Sequence, residues 1–484
     1  MENELFKPAA PAPAVAIPPR RGKSALGDAF SRFAKNRASL TAAVILALLL
    51  LFALLTPFFS PYTPAFRDGF YRGMPPIFSR NTRLSGTQGV LDYHLAMGQE
   101  AGLPAVSGWE KLEENNYRLT LDAYRRVGFW YLDLTPAEFA ALQDYQNRTG
   151  HQVCYPLPKN YNTFYPAVGS SANLWYKLSD DGPYSSGTAA FHDETGAPIL
   201  SPNYLESLPD GSYTSLRLEQ DPGTWVYGAK NQTGWRVRVL YAEYFRYRNG
   251  FSPRFFLGTN QHGQDIAACL SSGARLSILL AVSVSAINLL IGVLFGAVEG
   301  FFGGKTDLIL ERFSDILRAV PFIVVATLFQ LHLAQKAGPV LSLLFSFVLT
   351  GWIGIAARVR TQFYRFKNAE YVLCARTLGA GNGRLIFRHI LPNAIGTIIT
   401  GAVLLSPGVL FSESMLSYLG IVNLEAENMT SIGTMLAGGR AYLGTQPHIL
   451  AFPAIFLALL EISFNLFGNG LRDAFNPTLR GQEG

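Results

Sequence analysis

Gly303-Gly304-Lys305-Thr306 has the ending of a phosphate-binding loop, G-x-x-x-x-G-K-[ST]. That pattern requires glycine at position 299, where this chain carries Glu299, an acid that would face a polyphosphate with the wrong charge. The Gly-Gly pair reads instead as a chain reversal between helices. No Ser/His/Asp set, HExxH or paired-carboxylate pattern occurs, and the seven histidines are scattered. Cys154, Cys269 and Cys374 form no CxxC pair, which excludes a disulfide scaffold and argues against a metal site. No catalytic residue, no metal ligand and no cofactor is therefore expected in this chain. One segment points to a different kind of work: 369–393, AEYVLCARTLGAGNGRLIFRHILPN. A helix-period stretch (Tyr371, Val372, Ala375, Leu378) ends at Gly379, where glycine permits a left-handed backbone. A small-residue turn follows (Ala380, Gly381, Asn382, Gly383), then a second amphipathic stretch (Leu385, Ile386, Ile390). Pro392 is expected to end that second helix before the next apolar stretch begins. The segment has one acid, Glu370, in basic surroundings that include Arg376. Two readings stand side by side: an interfacial loop, or a docking element for a soluble partner.

The rest of the chain must place that segment at a membrane. The 484 residues are 49% apolar, 13% aromatic and only 15% charged, against roughly a quarter charged in an ordinary soluble domain. Leu40 to Phe59 is about 20 residues without a charge, long enough to cross roughly 30 Å of hydrocarbon. It is too long for a signal-peptide core and no small-residue cleavage site follows, so it is expected to be an uncleaved first span, within 38–60. Residues 1–37 form a cytoplasmic tail, rich in Pro and Ala to about residue 23, where disorder is expected. Five further apolar stretches follow: Leu276–Val298, Leu308–Leu333, Pro339–Ala357, Ile395–Leu419 and Ile449–Phe467. The second of these is interrupted by Pro321. Six spans put both termini on one side. Nineteen Lys and Arg flank the spans on that side, against two (Lys336 and Arg440) in the short opposite loops, so both termini are expected in the cytoplasm. This distribution also accounts for the net charge of +6. No basic stripe interleaved with aromatics appears, so no nucleic-acid partner is expected.

Between the first and second spans, 62–256 has a different composition, with 18 basic and 19 acidic residues, 18 of the 22 tyrosines and five of the six tryptophans. This suits a folded extracytoplasmic domain, taken as α+β. Thr135-Pro136-Ala137-Glu138 is a capping box, Leu134 and Phe139 form a staple, and Gly150 closes the helix. Thr224–Ala229 and Gly234–Phe245 are read as two strands joined by a polar turn at 230–233. The tyrosines and tryptophans fit an ordinary core, and they also fit a docking surface for a partner.

The 369–393 segment resembles the cytoplasmic "EAA" loop of permease subunits in binding-protein-dependent ABC importers. Specifically, it resembles the dipeptide/oligopeptide (and nickel) permease branch, C-type subunit. The matching positions are Ala375, Gly379, Ile390, Leu391 and Pro392. The resemblance runs from Leu257 to Arg480. Leu257-Gly258-Thr259-Asn260 with Gly263 and Asp265 resembles the family's L-G-T-D-x-x-G-R-D, and Gly273-Ala274-Arg275-Leu276-Ser277 its G-A-R-x-S. Gly300–Gly304 with Asp307 and Arg312 resembles the loop after the second span. Glu413, Ser417, Leu419-Gly420, Phe464-Asn465-Leu466 and Gly470-Leu471-Arg472-Asp473 match the last two spans.

The resemblance implies an all-α polytopic membrane protein, six helices of the ABC importer permease type, with the α+β domain inserted between helices 1 and 2. The insertion proper is 77–252, because family members run almost directly from a Pro-Pro motif, here Pro75-Pro76, to the L-G-T-D segment. The core is then 257–475 and the cytoplasmic tail 476–484. The implied partners are a second permease, two cytoplasmic ATP-binding subunits that supply hydrolysis, an extracytoplasmic substrate-binding protein, a peptide substrate and membrane lipid. The location is the bacterial plasma membrane. The coupling loop would act through Glu370, Ala375, Arg376, Gly379, Ile390, Leu391 and Pro392. Two departures stand out: the EAA glutamate falls on Leu373, and the L-G-T-D aspartate is Asn260, followed by Gly263-Gln264-Asp265. Polar residues within the apolar stretches (Asn288, Glu413, Glu461 and Asn465) are candidates for cavity contacts or for helix-packing hydrogen bonds. A permease for a nickel chelate is the alternative cargo. A membrane-anchored receptor using the external domain is the alternative class, and six spans argue against it, since an anchor needs only one. A secondary transporter would show internal repeats, and none is clear.

Overall fold

The structure is a computed structural model, and it describes residues 25–101, 104–155, 228–230, 235–425 and 430–475. Expectations for 1–23, for 224–227 and 231–234 of the hairpin, and for 476–484 lie outside the described residues. Among the described residues, four helices are long and apolar enough to cross a membrane: Arg37–Phe59, Ile266–Phe302, Pro339–Phe366 and His448–Phe475. A fifth candidate is the pair Gly304–Arg318 and Phe322–His332, bent by 72°. Arg37–Phe59 is apolar all round and most of its leucines remain uncovered, with Leu48 59% and Leu54 55% exposed. A helix of that kind needs lipid as its solvent.

The expected span Ile395–Leu419 appears as two helices of 13 residues, Leu391–Val403 and Ser406–Tyr418. Pro407 explains the break, because its ring collides with the carbonyl four residues back, at Val403, where the first helix ends. Pro321 does the same at Leu317, and the preceding helix ends at Arg318.

The described residues form two compact units. One comprises Ala53–Ala274 and Leu424–Ile455, and so is larger than the 62–256 segment marked by composition. It holds two antiparallel sheets. The first has the order β1 (Asn81–Gly86), β3 (Asn116–Asp122), β2 (Val106–Glu113). In the second, β7 (Trp235–Leu240) pairs with β4 (Phe129–Leu134). Successive stretches of β7 also pair with β5 (Cys154–Tyr155) and β6 (Gly228–Lys230). The in-register pair Asp133–Arg236 closes with two hydrogen bonds of 2.9 and 3.0 Å. Thr135 and Glu138 form the reciprocal capping box, and Gly150 ends that helix at φ +69°. Leu134 and Phe139 pack into one cluster, as a staple requires.

The second hairpin strand is shorter than expected. It stops at Leu240, and Tyr241–Asn249 is a helix closed by Gly250 in the left-handed region. Tyr241 and Phe245, four apart and so one turn apart on the helix, then face one core. That core takes up Tyr62, Tyr71, Tyr124 and Phe255 as well, so these aromatics are interior packing. Asp68 anchors it: its Oδ1 accepts from the Phe70 backbone at 2.9 Å and its Oδ2 from the Tyr241 hydroxyl at 2.8 Å.

The segment 257–265 is locked to 68–74. Thr259 Oγ1 accepts from the Met74 backbone at 2.8 Å, and Gly263 (φ +74°) lies so close to the Asp68 carbonyl that no side chain fits. The two departures in this motif belong together. Asn260 Oδ1 accepts from the backbones of His262 (2.9 Å) and Gln264 (3.0 Å), which an aspartate could also do. Asn260 Nδ2 donates to Gln264 Oε1 at 2.8 Å, so a neutral amide pair stands where the family motif has Asp and Arg. Asp265 caps the next helix, accepting from the Ala268 backbone at 2.8 Å, while burial lifts its carboxyl to about 6.

The other unit comprises Met1–Phe52, Arg275–Asn423 and Phe456–Gly484. Ala25–Lys35 is an amphipathic helix that buries Phe33 against Phe467, with ring centroids 5.4 Å apart, and leaves Phe30 74% exposed. Its last turn carries Arg32 and Lys35, the arrangement of a helix lying at a membrane surface.

Candidate functional site

The loop 369–393 begins with the helix Glu370–Thr377 and ends it as a Schellman motif. Gly379 has φ +85°, its N–H donates to the Arg376 carbonyl at 3.0 Å, and the Ala380 N–H donates to the Ala375 carbonyl at 3.0 Å. Ala375 and Ala380 both rest on the same apolar cluster, which supplies the hydrophobic contact such a cap favours. The chain then forms Asn382–Arg384 and a π-helical turn, Leu385–Ile390.

Pro392 does not end a helix there. The π turn runs directly into Leu391–Val403, with Pro392 in its first turn. A wide i→i+5 turn already disrupts the regular ladder, so a residue without an N–H costs little at that point.

Of the apolar positions in the loop, Val372, Leu385, Ile386 and Ile390 are buried against Ile355, Val359 and Phe363. Burying each aliphatic side chain contributes roughly 1.5–3 kcal/mol where water is the alternative. Tyr371 and Leu378, of the same helix-period stretch, are exposed, Leu378 to 83%. Leu373 and Phe387 are exposed with them. The loop is thus a platform with a fixed apolar underside and an uncovered outer face of Tyr371, Leu373, Leu378 and Phe387. Glu370 and Arg376 are also exposed, and Glu370 lies one helical turn from Leu373. Ile390 and Leu391 hold the platform down, Ile390 fully buried and Leu391 partly.

Beneath the platform, Ile353–Phe366 packs closely on Ile266–Phe302. Gly292, Gly296 and Gly300 recur every fourth residue and lie against Ile355, Ala356 and Phe363. A Cβ at Gly296 would overlap the Ala356 carbonyl oxygen. Small residues at this spacing let two backbones meet. At the end of the stripe, Arg360 donates to Asp307 Oδ2 at 2.7 Å and to Glu311 Oε1 at 2.8 Å. The Tyr364 hydroxyl donates to Asp307 at 2.7 Å, and Lys367 to the Gly300 carbonyl at 3.2 Å. Sequence reasoning missed both features. The signal was present in matched four-residue spacings: Gly292/296/300, Asp307/Glu311 and Arg360/Tyr364.

The four polar candidates occupy different surroundings. Asn288 continues the glycine stripe and is 3% exposed, its Nδ2 3.5 Å from the Phe347 carbonyl. Glu413 is 1% exposed and accepts from Ser277 at 2.9 Å and from Ser417 at 3.3 Å. Glu461 has a buried Oε1 without a hydrogen-bond partner among the described residues, and Asn465 is exposed, donating to the Glu461 backbone at 3.1 Å. Glu413→Ala is expected to lower the melting temperature of the purified chain in detergent. The change strands two buried hydroxyls, at about 1–3 kcal/mol each, while Glu413→Gln keeps an acceptor and loses less. Unchanged melting with altered cargo preference would instead make Glu413 a cargo contact.

Residues 288–481 match the family described as "Binding-protein-dependent transport system inner membrane component". Residues 24–76 match "N-terminal TM domain of oligopeptide transport permease C", and 77–287 lie outside both matches. The chain is 42% identical over 229 residues to the oligopeptide transport system permease protein OppC of Bacillus subtilis, covering 47% of this chain and 73% of that protein. It is 37% identical to OppC of Haemophilus influenzae, covering 46% of this chain and 70% of the relative. It is also 37% identical to the dipeptide transport system permease protein DppC of Bacillus subtilis, covering 47% and 70%. The chain belongs to this permease family. It is a multi-pass inner-membrane component of a binding-protein-dependent ABC importer, not an enzyme, and ATP hydrolysis lies on partner subunits. As such a permease it works with a partner permease, ATPase and substrate-binding subunits. Both the platform and the glycine stripe that supports it fall within the longer match.

Proposed function

We propose that this chain is one of two permeases in a plasma-membrane peptide importer, working with two cytoplasmic ATP-binding subunits and one extracytoplasmic binding protein. The observation that carries the reading is the 369–393 platform, whose uncovered side combines apolar side chains with Glu370 and Arg376 and whose underside is packed. Such a surface suits a soluble subunit whose closure must be passed to the membrane helices. The likeness to proteins named for oligopeptide and dipeptide transport supports peptide as cargo. On this reading the chain crosses six times, counting the bent pair as one span and Leu391–Val403 with Ser406–Tyr418 as another. Both termini then lie in the cytoplasm.

Proteoliposomes holding the whole complex should accumulate a radiolabelled oligopeptide only with ATP inside and the binding protein outside. Uptake of a nickel chelate with no peptide uptake would overturn the cargo. Reporters after Gly484 and within 380–383 should read cytoplasmic, and one near Gly211 external. An external carboxy terminus would contradict six spans.

A further inference from the structure

Within the unit that holds the sheets, a cavity of about 550 Å³ opens where the insertion joins the family core. That volume suits a small organic ligand. Its walls come from three parts of the chain: Arg72–Pro76, the inserted residues Phe78, Ser79, Asn81 and Thr82 with Ala123 and Arg126, and Thr445–His448. Arg126 lies outside both family matches, while Arg72 and His448 lie inside them. The site therefore needs the insertion and cannot be a general feature of the family.

Its chemistry is one-sided. The lining contains two arginines, a histidine and a glutamine, and no Asp or Glu. Neighbouring arginines show what a satisfied guanidinium looks like here: Arg80 and Arg125 are both paired with Asp122, at 3.4 and 3.7 Å. Arg72 and Arg126 have no carboxylate within ion-pair distance among the described residues, and both are exposed to the opening. A guanidinium presents a planar fork that fits an anionic oxygen pair. Met74, Pro75, Pro76, Phe78 and Pro447 add an apolar stretch of wall beside the neutral polar Ser79, Asn81, Thr82 and Thr445. A bare inorganic anion would leave that wall wet, whereas an organic anion with an apolar body would cover it.

We propose that this cavity binds a small carboxylate-bearing organic molecule, its carboxylate between Arg72 and Arg126 and its apolar body against the proline-rich wall. The proposal rests on this cavity alone, and binding can be read without the ATPase subunits. Its failure is thus distinguishable from failure of the importer reading.

The test is equilibrium binding of tritiated tri-alanine to the full chain in phosphatidylcholine nanodiscs. Saturable binding is expected, weakened at least tenfold by Arg72→Gln or Arg126→Gln and unchanged by Arg118→Gln, which lies outside the cavity. Melting temperatures should stay the same in all three variants, since each replaces an exposed side chain. Tri-alanine amide should bind at least tenfold more weakly than the free acid. Absence of saturable binding, equal binding of the amide, indifference to both arginine changes, or full displacement by equimolar inorganic phosphate would each overturn the proposal.

Discussion

Gly296→Leu is expected to abolish a stably folded permease. The site has no room even for a methyl group, because a Cβ there would overlap the Ala356 carbonyl oxygen. A backbone oxygen cannot rotate away as a side chain can, so Ile266–Phe302 and Ile353–Phe366 must separate. Overpacking a core costs about 1–3 kcal/mol where side chains can adjust, and here the backbone itself must move. Separation would also open the cluster on which the platform rests, since Ala297, Ile355, Val359 and Phe363 all belong to it. Gly292→Ala is expected to be milder, because the nearest backbone oxygen, that of Trp352, is 2.9 Å from its would-be Cβ against 2.3 Å for Ala356 at Gly296, and Ile355 Cβ is at 2.7 Å. Gly354→Ala is the internal control. It lies in the same helical region with nothing within 4 Å of its would-be Cβ, and should be neutral or slightly stabilising. Size-exclusion behaviour and melting in detergent check the series, and a wild-type profile for Gly296→Leu would mean the helices are not packed along this stripe.

Gly379→Val is expected to leave insertion and folding intact but to remove substrate-stimulated ATP hydrolysis by the assembled complex. No atom lies within 4 Å of a Cβ at this position, so the effect comes from backbone conformation alone. At φ +85° a β-branched residue is strongly disfavoured, and the chain would leave the left-handed cap that joins the two halves of the platform. Gly379→Asn should retain most of the stimulation, since asparagine tolerates that region. Gly381→Val, at φ −68° with equally open surroundings, should be silent. Normal stimulated hydrolysis in Gly379→Val would separate the platform from transmission.

Much of this is legible in the sequence itself. Gly379 announced its turn because a small-residue run followed a helix-period stretch, and Thr135-Pro136-Ala137-Glu138 carried its whole cap in four residues. Local signals of this kind depend only on near neighbours in the chain. What stayed hidden depends on partners far away. Tyr371 and Leu378 share the period of Val372 yet face outward, because the period gives a helix but not which side finds a neighbour. Tyr241–Phe245 looked like a strand continuing from β7 because aromatic residues suit both structures, and only a core shared with Tyr71 and Phe255 selects the helix. Pro407 marks the break before Ser406, while hydropathy runs through it unchanged and gives no sign of it. The pairing of Asn260 with Gln264 turns two separate departures into one exchange, a relation that appears only when both side chains are seen to meet.

The platform's meeting with an ATPase can be tested with a residue already in place. Cys374 is exposed on the Glu370–Thr377 helix, while Cys154 and Cys269 are buried. Labelling Cys374 with benzophenone maleimide in the assembled importer and irradiating it should yield one covalent product between this chain and an ATP-binding subunit. That product should change in yield between the nucleotide-free and ATP-bound states. A Cys374 label that captures only the partner permease or lipid, in either state, would contradict the role assigned to the platform.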